Sequence, residues 1–177
     1  VTYTGNGNDG DTVGHGLSGN WDLCILKNRG QTDYWTYSNT GTNQVLLLHD
    51  NVQQANHSTA YMSKASGVIG LVAAGDLGMV NGNSETYVAY VFKEIKGYSK
   101  FGTYTGTGNA KGAFVYTGFK PAWLMLRNIE NGEDWLIWDV KRDEVREFGN
   151  PMSGRLKAND SIAEVSGDDI DFLSYGF

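Results

Sequence analysis

The chain has 177 residues, which is enough for one sizeable hydrophobic core or two small ones. Its formal net charge is −6 and its 14 basic residues are scattered, so it lacks the basic stripe that binding to a nucleic-acid backbone requires. The longest apolar run, Val68–Ala74, is too short to span a bilayer. The sequence therefore predicts neither a nucleic-acid partner nor a membrane partner.

The composition favours strands and tight turns. There are 24 glycines against 2 prolines, and Tyr, Thr, Val and Trp, which suit pleated strands, are plentiful. The single cysteine, Cys24, cannot form an internal disulfide, and its apolar neighbours predict a small core residue.

Short apolar or alternating segments, separated by Gly and Asn turns, run along the whole chain. In the first half we predict strands at Val1–Thr4, Thr12–Val13, Leu23–Leu26, Tyr34–Tyr37, Val45–Leu48, near Tyr61, Val68–Ala73, Leu77–Val80 and Thr86–Phe92. In the second half we predict them at Phe101–Thr105, Ala113–Thr117, Trp123–Leu126, Trp135–Trp138, Arg155–Ala158 and Ile170–Leu173. Lys141–Phe148 is the one segment in which the charge pattern allows a short helix. The sequence predicts an all-β fold, a lectin-like β-sandwich or jelly roll.

The chain also repeats itself at an offset of about 100 residues. Thr2–Asn8 corresponds to Thr103–Asn109, and Leu23–Asn28 corresponds to Trp123–Asn128. Asp33-Tyr34 corresponds to Asp134-Trp135. We therefore predict an internal duplication, with a first copy at residues 1–97 and a second, truncated copy at 98–177.

The second copy has no counterpart of the strand Thr86–Phe92, because the chain stops at Phe177. Two interpretations remain. The sequence is a piece of a longer repeat protein, or Thr86–Phe92 serves both halves of one compact sandwich. The second is favoured, because a half of about 75 residues without its best strand would bury too little surface.

Several segments, in order, resemble one known family. They are Val80–Gly82, Thr86–Tyr90, Gly97–Gly106, Phe114–Trp123, Trp135–Asp139 and the closing Asp171–Phe177. The chain resembles a repeat found in tail-fibre-like and virion surface proteins of tailed phages, many of them marine. The resemblance implies a structural or host-contact role at the surface of a virion, hence an extracellular location. It supplies no catalytic residues.

One loop has the composition of a calcium site. Asn6–Asp11 combines glycines with oxygen ligands, of which Asn8, Asp9 and Asp11 are the candidates. The spacing does not fit a helix–loop–helix site, and the second copy places Lys111 in the corresponding loop. The alternative, a tight turn of residues that tolerate positive φ, is favoured, and no other cofactor is predicted.

The sequence does not predict an enzyme. His15, His49 and His57 show no metal-ligand spacing, and no serine lies in a nucleophile motif. A glycan depolymerase needs two opposed carboxyl groups, and Asp139, Asp143, Glu144 and Glu147 qualify only by residue type.

Aromatic residues are the most suggestive candidates for binding. An exposed aromatic ring beside Asn and Asp can stack on the apolar face of a sugar, and Trp35, Tyr37 and Trp138 are the candidates. The alternative is that these rings fill the core.

We expect a structural module of a phage virion surface or tail fibre that assembles with itself or with other virion proteins and contacts a host-surface glycan. The assembly edge is expected at Phe172, Leu173, Tyr175 and Phe177, where an unpaired strand edge would be completed by a neighbour. The alternatives are a carbohydrate-binding module without an assembly role and a glycan depolymerase.

Overall fold

The computed structural model describes residues 1–32, 35–38, 44–51, 55–56, 61–71, 79–109, 111–142 and 150–177. At residues 35–38, 44–45, 55–56 and 168–169 it describes the backbone alone. The described chain is all-β, with antiparallel strands in three sheets, and it divides into two compact units. No helix in the described part of the chain is long and apolar enough to cross a membrane.

Unit 1 consists of Val1–Lys93 together with Asn128–Glu133. Its strands are β1 (Thr2–Thr4), β2 (Thr12–Gly14), β3 (Leu23–Asn28), β4 (Trp35–Ser38), β5 (Gln44–Leu47), β6 (Ala55–Asn56), β7 (Met62–Ala65), β8 (Val68–Leu71) and β9 (Thr86–Phe92). One sheet has the order β1-β9-β3-β4-β5-β6, and the other has the order β2-β8-β7.

The core of unit 1 forms around β3, whose continuous apolar run suits a strand covered on both faces. Cys24 and Leu26 of β3 are buried against Trp21, Ile69 and Leu71. Burial of the Cys24 thiol raises its pKa to about 12, so the thiol stays protonated and behaves as a core residue.

β9 lies between β1 and β3. Tyr87 of β9 is fully buried, and its ring stacks on Tyr3 of β1 with centroids 5.0 Å apart. Its hydroxyl accepts a hydrogen bond from Gly82 N–H at 2.8 Å and donates one to Glu85 Oε2 at 2.8 Å. Asn28 Nδ2 donates to the same carboxylate at 2.7 Å, so the end of β3 is joined to the turn before β9.

Unit 2 consists of Glu94–Arg127 together with Asp134–Phe177. Its four strands are β10 (Trp123–Leu126), β11 (Leu136–Asp139), β12 (Met152–Lys157) and β13 (Val165–Ile170). They form a meander in chain order, with β10 at one edge. Trp138, Met152 and Phe172 form its buried core.

The sequence predicted β9 and β10 with their observed boundaries, and the all-β class is confirmed. Phe101–Thr105 is wrong as a strand, and Ala113–Thr117 forms only an isolated bridge at Tyr116. The helix allowed at Lys141–Phe148 and the strand at Leu77–Val80 fall largely outside the described residues. The jelly-roll type, the lectin-like character, the duplication and the boundaries 1–97 and 98–177 stay predictions.

Candidate interaction surface of unit 2

Within the part of the chain that the structure describes, large apolar side chains are exposed mainly on unit 2. Among the described residues, twelve such side chains are exposed, and nine of them belong to unit 2. These nine are Ile95, Tyr98, Tyr104, Phe114, Tyr116, Trp123, Ile162, Leu173 and Tyr175. Exposed apolar residues that are scattered singly are ordinary, whereas neighbouring exposed rings are typical of a contact surface, so the members of this set that the backbone places side by side are the candidates.

Backbone pairing with the C-terminal segment holds Phe114 and Tyr116. Val115 N–H donates to Phe177 O at 2.8 Å, and Phe177 N–H donates back to Val115 O at 3.2 Å. Thr117 N–H donates to Tyr175 O at 2.8 Å. Because alternate residues of an extended chain share a face, Phe114 and Tyr116 lie on one side, and both are exposed.

Gly176 permits this close pairing. A Cβ atom at Gly176 would lie 2.0 Å from Val115 O and 2.9 Å from the Phe114 ring. Both distances are far below van der Waals contact, so the position accepts no side chain without a shift of the backbone. Glycine here sets the position of the Phe114 ring over the C-terminal segment.

A cavity of about 450 Å³ opens beside this segment. The Tyr104 and Phe177 rings in its wall meet edge to face, with centroids 5.9 Å apart. Its polar lining residues are Thr107, Asn109, Lys111 and Asp171, and its remaining lining residues are Gly106, Gly108, Gly112, Ala113, Phe114, Pro151, Ile170 and Leu173. Aromatic rings beside amide and carboxylate groups suit a polar ligand with an apolar face, such as a sugar.

Among the described lining residues, Asp171 is the one carboxylate. Glycoside hydrolysis uses two carboxyl groups across the scissile bond. Of the carboxylates considered from the sequence, Asp139 lies in β11 and its Oδ1 accepts from Lys141 N–H at 2.8 Å. Asp143, Glu144 and Glu147 lie outside the described residues. The described cavity therefore offers binding groups rather than a carboxylate pair.

The four residues predicted for the assembly edge have different environments. Phe172 is buried in the core, whereas Leu173 and Tyr175 are exposed. Phe177 is partly buried and lines the cavity. Of the four, Leu173 and Tyr175 are therefore the exposed ones, at 45% and 62%.

The predicted glycan-stacking residues are not on the described surface. Trp138 is 4% exposed and packs in the core of unit 2, so its ring faces are not available to a sugar. The side chains of Trp35 and Tyr37 lie outside the described part of the structure. Sequence reasoning missed Tyr104, Phe114 and Tyr116, although the alternation Phe114-Val115-Tyr116 was a signal for two rings on one face.

The predicted calcium loop is an extensively hydrogen-bonded turn. Gly7 and Gly10 have φ values of 76° and 81°, a region that favours glycine. Asn6 Oδ1 accepts from Asn8 N–H at 3.0 Å and from Asn81 Nδ2 at 3.0 Å. Asp11 Oδ2 accepts a hydrogen bond from Asn6 Nδ2 of the side-chain amide. These oxygens bind amide donors, which supports the turn alternative; calcium at Asn8, Asp9 and Asp11 stays a prediction.

The comparisons with known proteins identify one family. A family model described as a domain of unknown function, DUF7483, matches residues 1–177. No curated protein matches the chain, and no solved structure matches it.

Proposed function

The chain belongs to the DUF7483 family. We propose that it is a non-catalytic structural module of a phage virion surface or tail fibre, assembling into an oligomer through unit 2. The concentration of nine exposed large apolar side chains in unit 2 carries the proposal. The resemblance of the sequence to virion surface repeats supports the setting, which is extracellular.

The residue types of this surface suit a protein partner. Interface centres are enriched in Tyr, Trp, Phe and Met and depleted in charged residues. Tyr116 and Tyr175 are 67% and 62% exposed, so each ring has a large apolar area to bury. Fully burying a large apolar side chain contributes about 1.5–3 kcal/mol. Because association loses translational and rotational freedom worth about 4–15 kcal/mol, several such side chains would have to be buried together.

Sedimentation velocity over a dilution series tests the proposal. We expect an oligomer for the native chain and a shift towards the 19.4 kDa monomer for Tyr116→Ser combined with Leu173→Ser. The matched control is Tyr90→Ser combined with Phe92→Ser, because these exposed side chains belong to unit 1. Equal loss of association in both double variants would contradict an interface on unit 2.

The cavity favours a second candidate, carbohydrate binding. Tyr104 offers a ring, while Asn109 and Asp171 offer an amide and a carboxylate to sugar hydroxyls. We expect Tyr104→Ala to abolish binding on a glycan array, whereas Tyr98→Ala, an exposed tyrosine that is not among the lining residues, should preserve it. An array on which the native chain binds no glycan would remove this candidate.

A further inference from the structure

We infer that the open edge of β10 binds an extended peptide strand of the β9 type as a fifth strand of the sheet in unit 2. The inference deepens the proposed function and rests on it, because it names the kind of partner segment and the place where it docks. The added strand would form the backbone hydrogen bonds that β9 forms with β3.

The first support is the internal correspondence of the sequence. Leu23–Asn28, the whole of β3, corresponds to Trp123–Asn128, which contains β10. In unit 1, β3 is hydrogen-bonded on one side to β4 and on the other to β9. In unit 2, β10 pairs with β11 and ends the sheet. Within the described residues, the position that β9 takes beside β3 has no strand beside β10.

The second support is the direction of the backbone groups. Arg29 N–H donates to Thr86 O at 2.8 Å in register with the β3–β9 ladder, so by alternation Leu23, Ile25 and Lys27 form the bonds to β9. The corresponding residues of β10 begin at Trp123 and Met125.

The same alternation fixes the direction in β10. Val140 N–H donates to Ala122 O at 3.0 Å in register with the β10–β11 ladder, so Leu124 and Leu126 form the bonds to β11. The N–H and C=O groups of Trp123 and Met125 therefore point away from β11, towards the open edge. These are the positions whose counterparts, Leu23 and Ile25, bind β9.

The third support is the other neighbour of β9. β1 has the sequence Thr-Tyr-Thr and pairs with β9 through Thr2, Tyr3 and Thr4. Thr103–Thr105 has the same sequence but is exposed and not in a strand. β1 and β3 flank β9 in unit 1. Their counterparts in unit 2, Thr103–Thr105 and β10, have no described strand in the position of β9.

The sequence of β9 indicates which kind of peptide would bind at the open edge of β10. Along β9, Tyr87 and Ala89 are buried while Tyr90 and Phe92 are exposed, so its faces alternate. Trp123 at the open edge is 53% exposed and available for side-chain packing. The partner segment is therefore an uncharged, proline-free strand of about seven residues with aromatic and small or branched residues in alternation.

The test titrates the full chain into a fluorescently labelled synthetic peptide of sequence Ser84–Lys93 and follows anisotropy. In the β9 register, Tyr90 and Phe92 would pair with Met125 and Trp123. A peptide N-methylated at Tyr90 and Phe92 loses those two N–H donors, and we expect binding at least about tenfold weaker. The matched peptide, N-methylated at Ala89 and Val91, keeps the donors and should bind like the unmodified peptide.

A substitution in β10 tests whether the peptide binds at its open edge. Met125→Pro removes an N–H that points away from β11, so the β10–β11 bonds remain while the open edge is blocked. We expect it to abolish peptide binding. Binding that persists undiminished in a folded Met125→Pro chain would place the peptide elsewhere and overturn the inference, as would equal affinity of the two N-methylated peptides or no binding of the unmodified one.

The two proposals fail separately. If the native chain self-associates, the Tyr116→Ser and Leu173→Ser double variant does not, and the peptide fails to bind, the proposed function stands and strand addition at β10 is refuted. Peptide binding by a chain that stays monomeric at every concentration would support strand addition and refute self-assembly through the aromatic surface.

Discussion

Asn150 and Phe172 are joined by two hydrogen bonds. Phe172 N–H donates to Asn150 Oδ1 at 2.8 Å, and Asn150 Nδ2 donates to Phe172 O at 3.0 Å. The side-chain amide thereby satisfies both backbone groups of a residue whose ring is buried in the core of unit 2. This pairing anchors the start of the C-terminal segment, from which Leu173 and Tyr175 reach the surface.

Asn150→Ala should lower the free energy of unfolding by about 1–3 kcal/mol, because it leaves a donor and an acceptor of Phe172 without partners. Urea denaturation measures the change. Asn131→Ala is the control, since the Asn131 side chain is exposed. A loss no larger than that of the control would show that water replaces the Asn150 amide without cost.

Gly176→Ala should destabilise the chain by about 1–3 kcal/mol, because a Cβ there would overlap Val115 O and crowd the Phe114 ring. The loosened C-terminal pairing should also expose the Val115 amide to hydrogen exchange. Gly102→Ala is the control, since a Cβ at that position meets nothing within 4 Å. Unchanged exchange at Val115 in the Gly176 variant would contradict the described packing.

Tyr87→Phe should cost about 1–3 kcal/mol, because it removes the acceptor of the buried Gly82 N–H and a donor to Glu85. The thermal midpoint measures the effect. Tyr90→Phe in the same strand should be nearly neutral, because the Tyr90 side chain is exposed. Equal midpoints for the two variants would mean that the network around Tyr87 contributes little.

The pair Asp134–Lys157 predicts a pH dependence. Hydrogen bonds from Lys157 and then from Asn159 lower the Asp134 pKa below its ordinary value of 3.8. The stabilisation is therefore present above pH 3.8 and is lost as the pH falls through the lower folded pKa. The hydrogen bond to Asp134 raises the Lys157 pKa, so its contribution persists below pH 10.5 and disappears above the raised value.

Urea midpoints at pH 7 and pH 2 test this dependence. Asp134→Asn should be less stable than the native chain at pH 7, and the gap should narrow at pH 2, because protonation of Asp134 removes the charge that Lys157 and Asn159 stabilise. Glu130→Gln, at an exposed carboxylate, is the control. A gap of the same size at both pH values would show that the charge of Asp134 does not contribute.

The strands that the sequence predicted well are those whose local pattern of apolar residues shows which side chains are buried. β3 begins with the continuous apolar run Leu23–Leu26, and β9 alternates aromatic with small and branched residues, so each carries its pattern within itself. Thr-Tyr-Thr carries no such information. It is a strand at Thr2–Thr4 because β9 lies beside it, and it is not one at Thr103–Thr105. Strand formation there depends on a tertiary partner that local sequence does not specify.

The candidate site was predicted less well for a related reason. Alternation says that two residues share a face but does not say which face is buried. Trp138 therefore could not be assigned from its pattern, and it proved to be core, whereas Tyr104, Phe114 and Tyr116 proved to be exposed. Gly176 is similar, because its role depends on Val115 and Phe114, about 60 residues away along the chain.

The mass of the native particle tests the claim that the chain assembles through unit 2. Multi-angle light scattering on the purified chain across a concentration range distinguishes an assembling module from an isolated one. Assembly through unit 2 predicts a mass of at least twice 19.4 kDa that falls on dilution. A constant mass of 19.4 kDa at every concentration would contradict the claim.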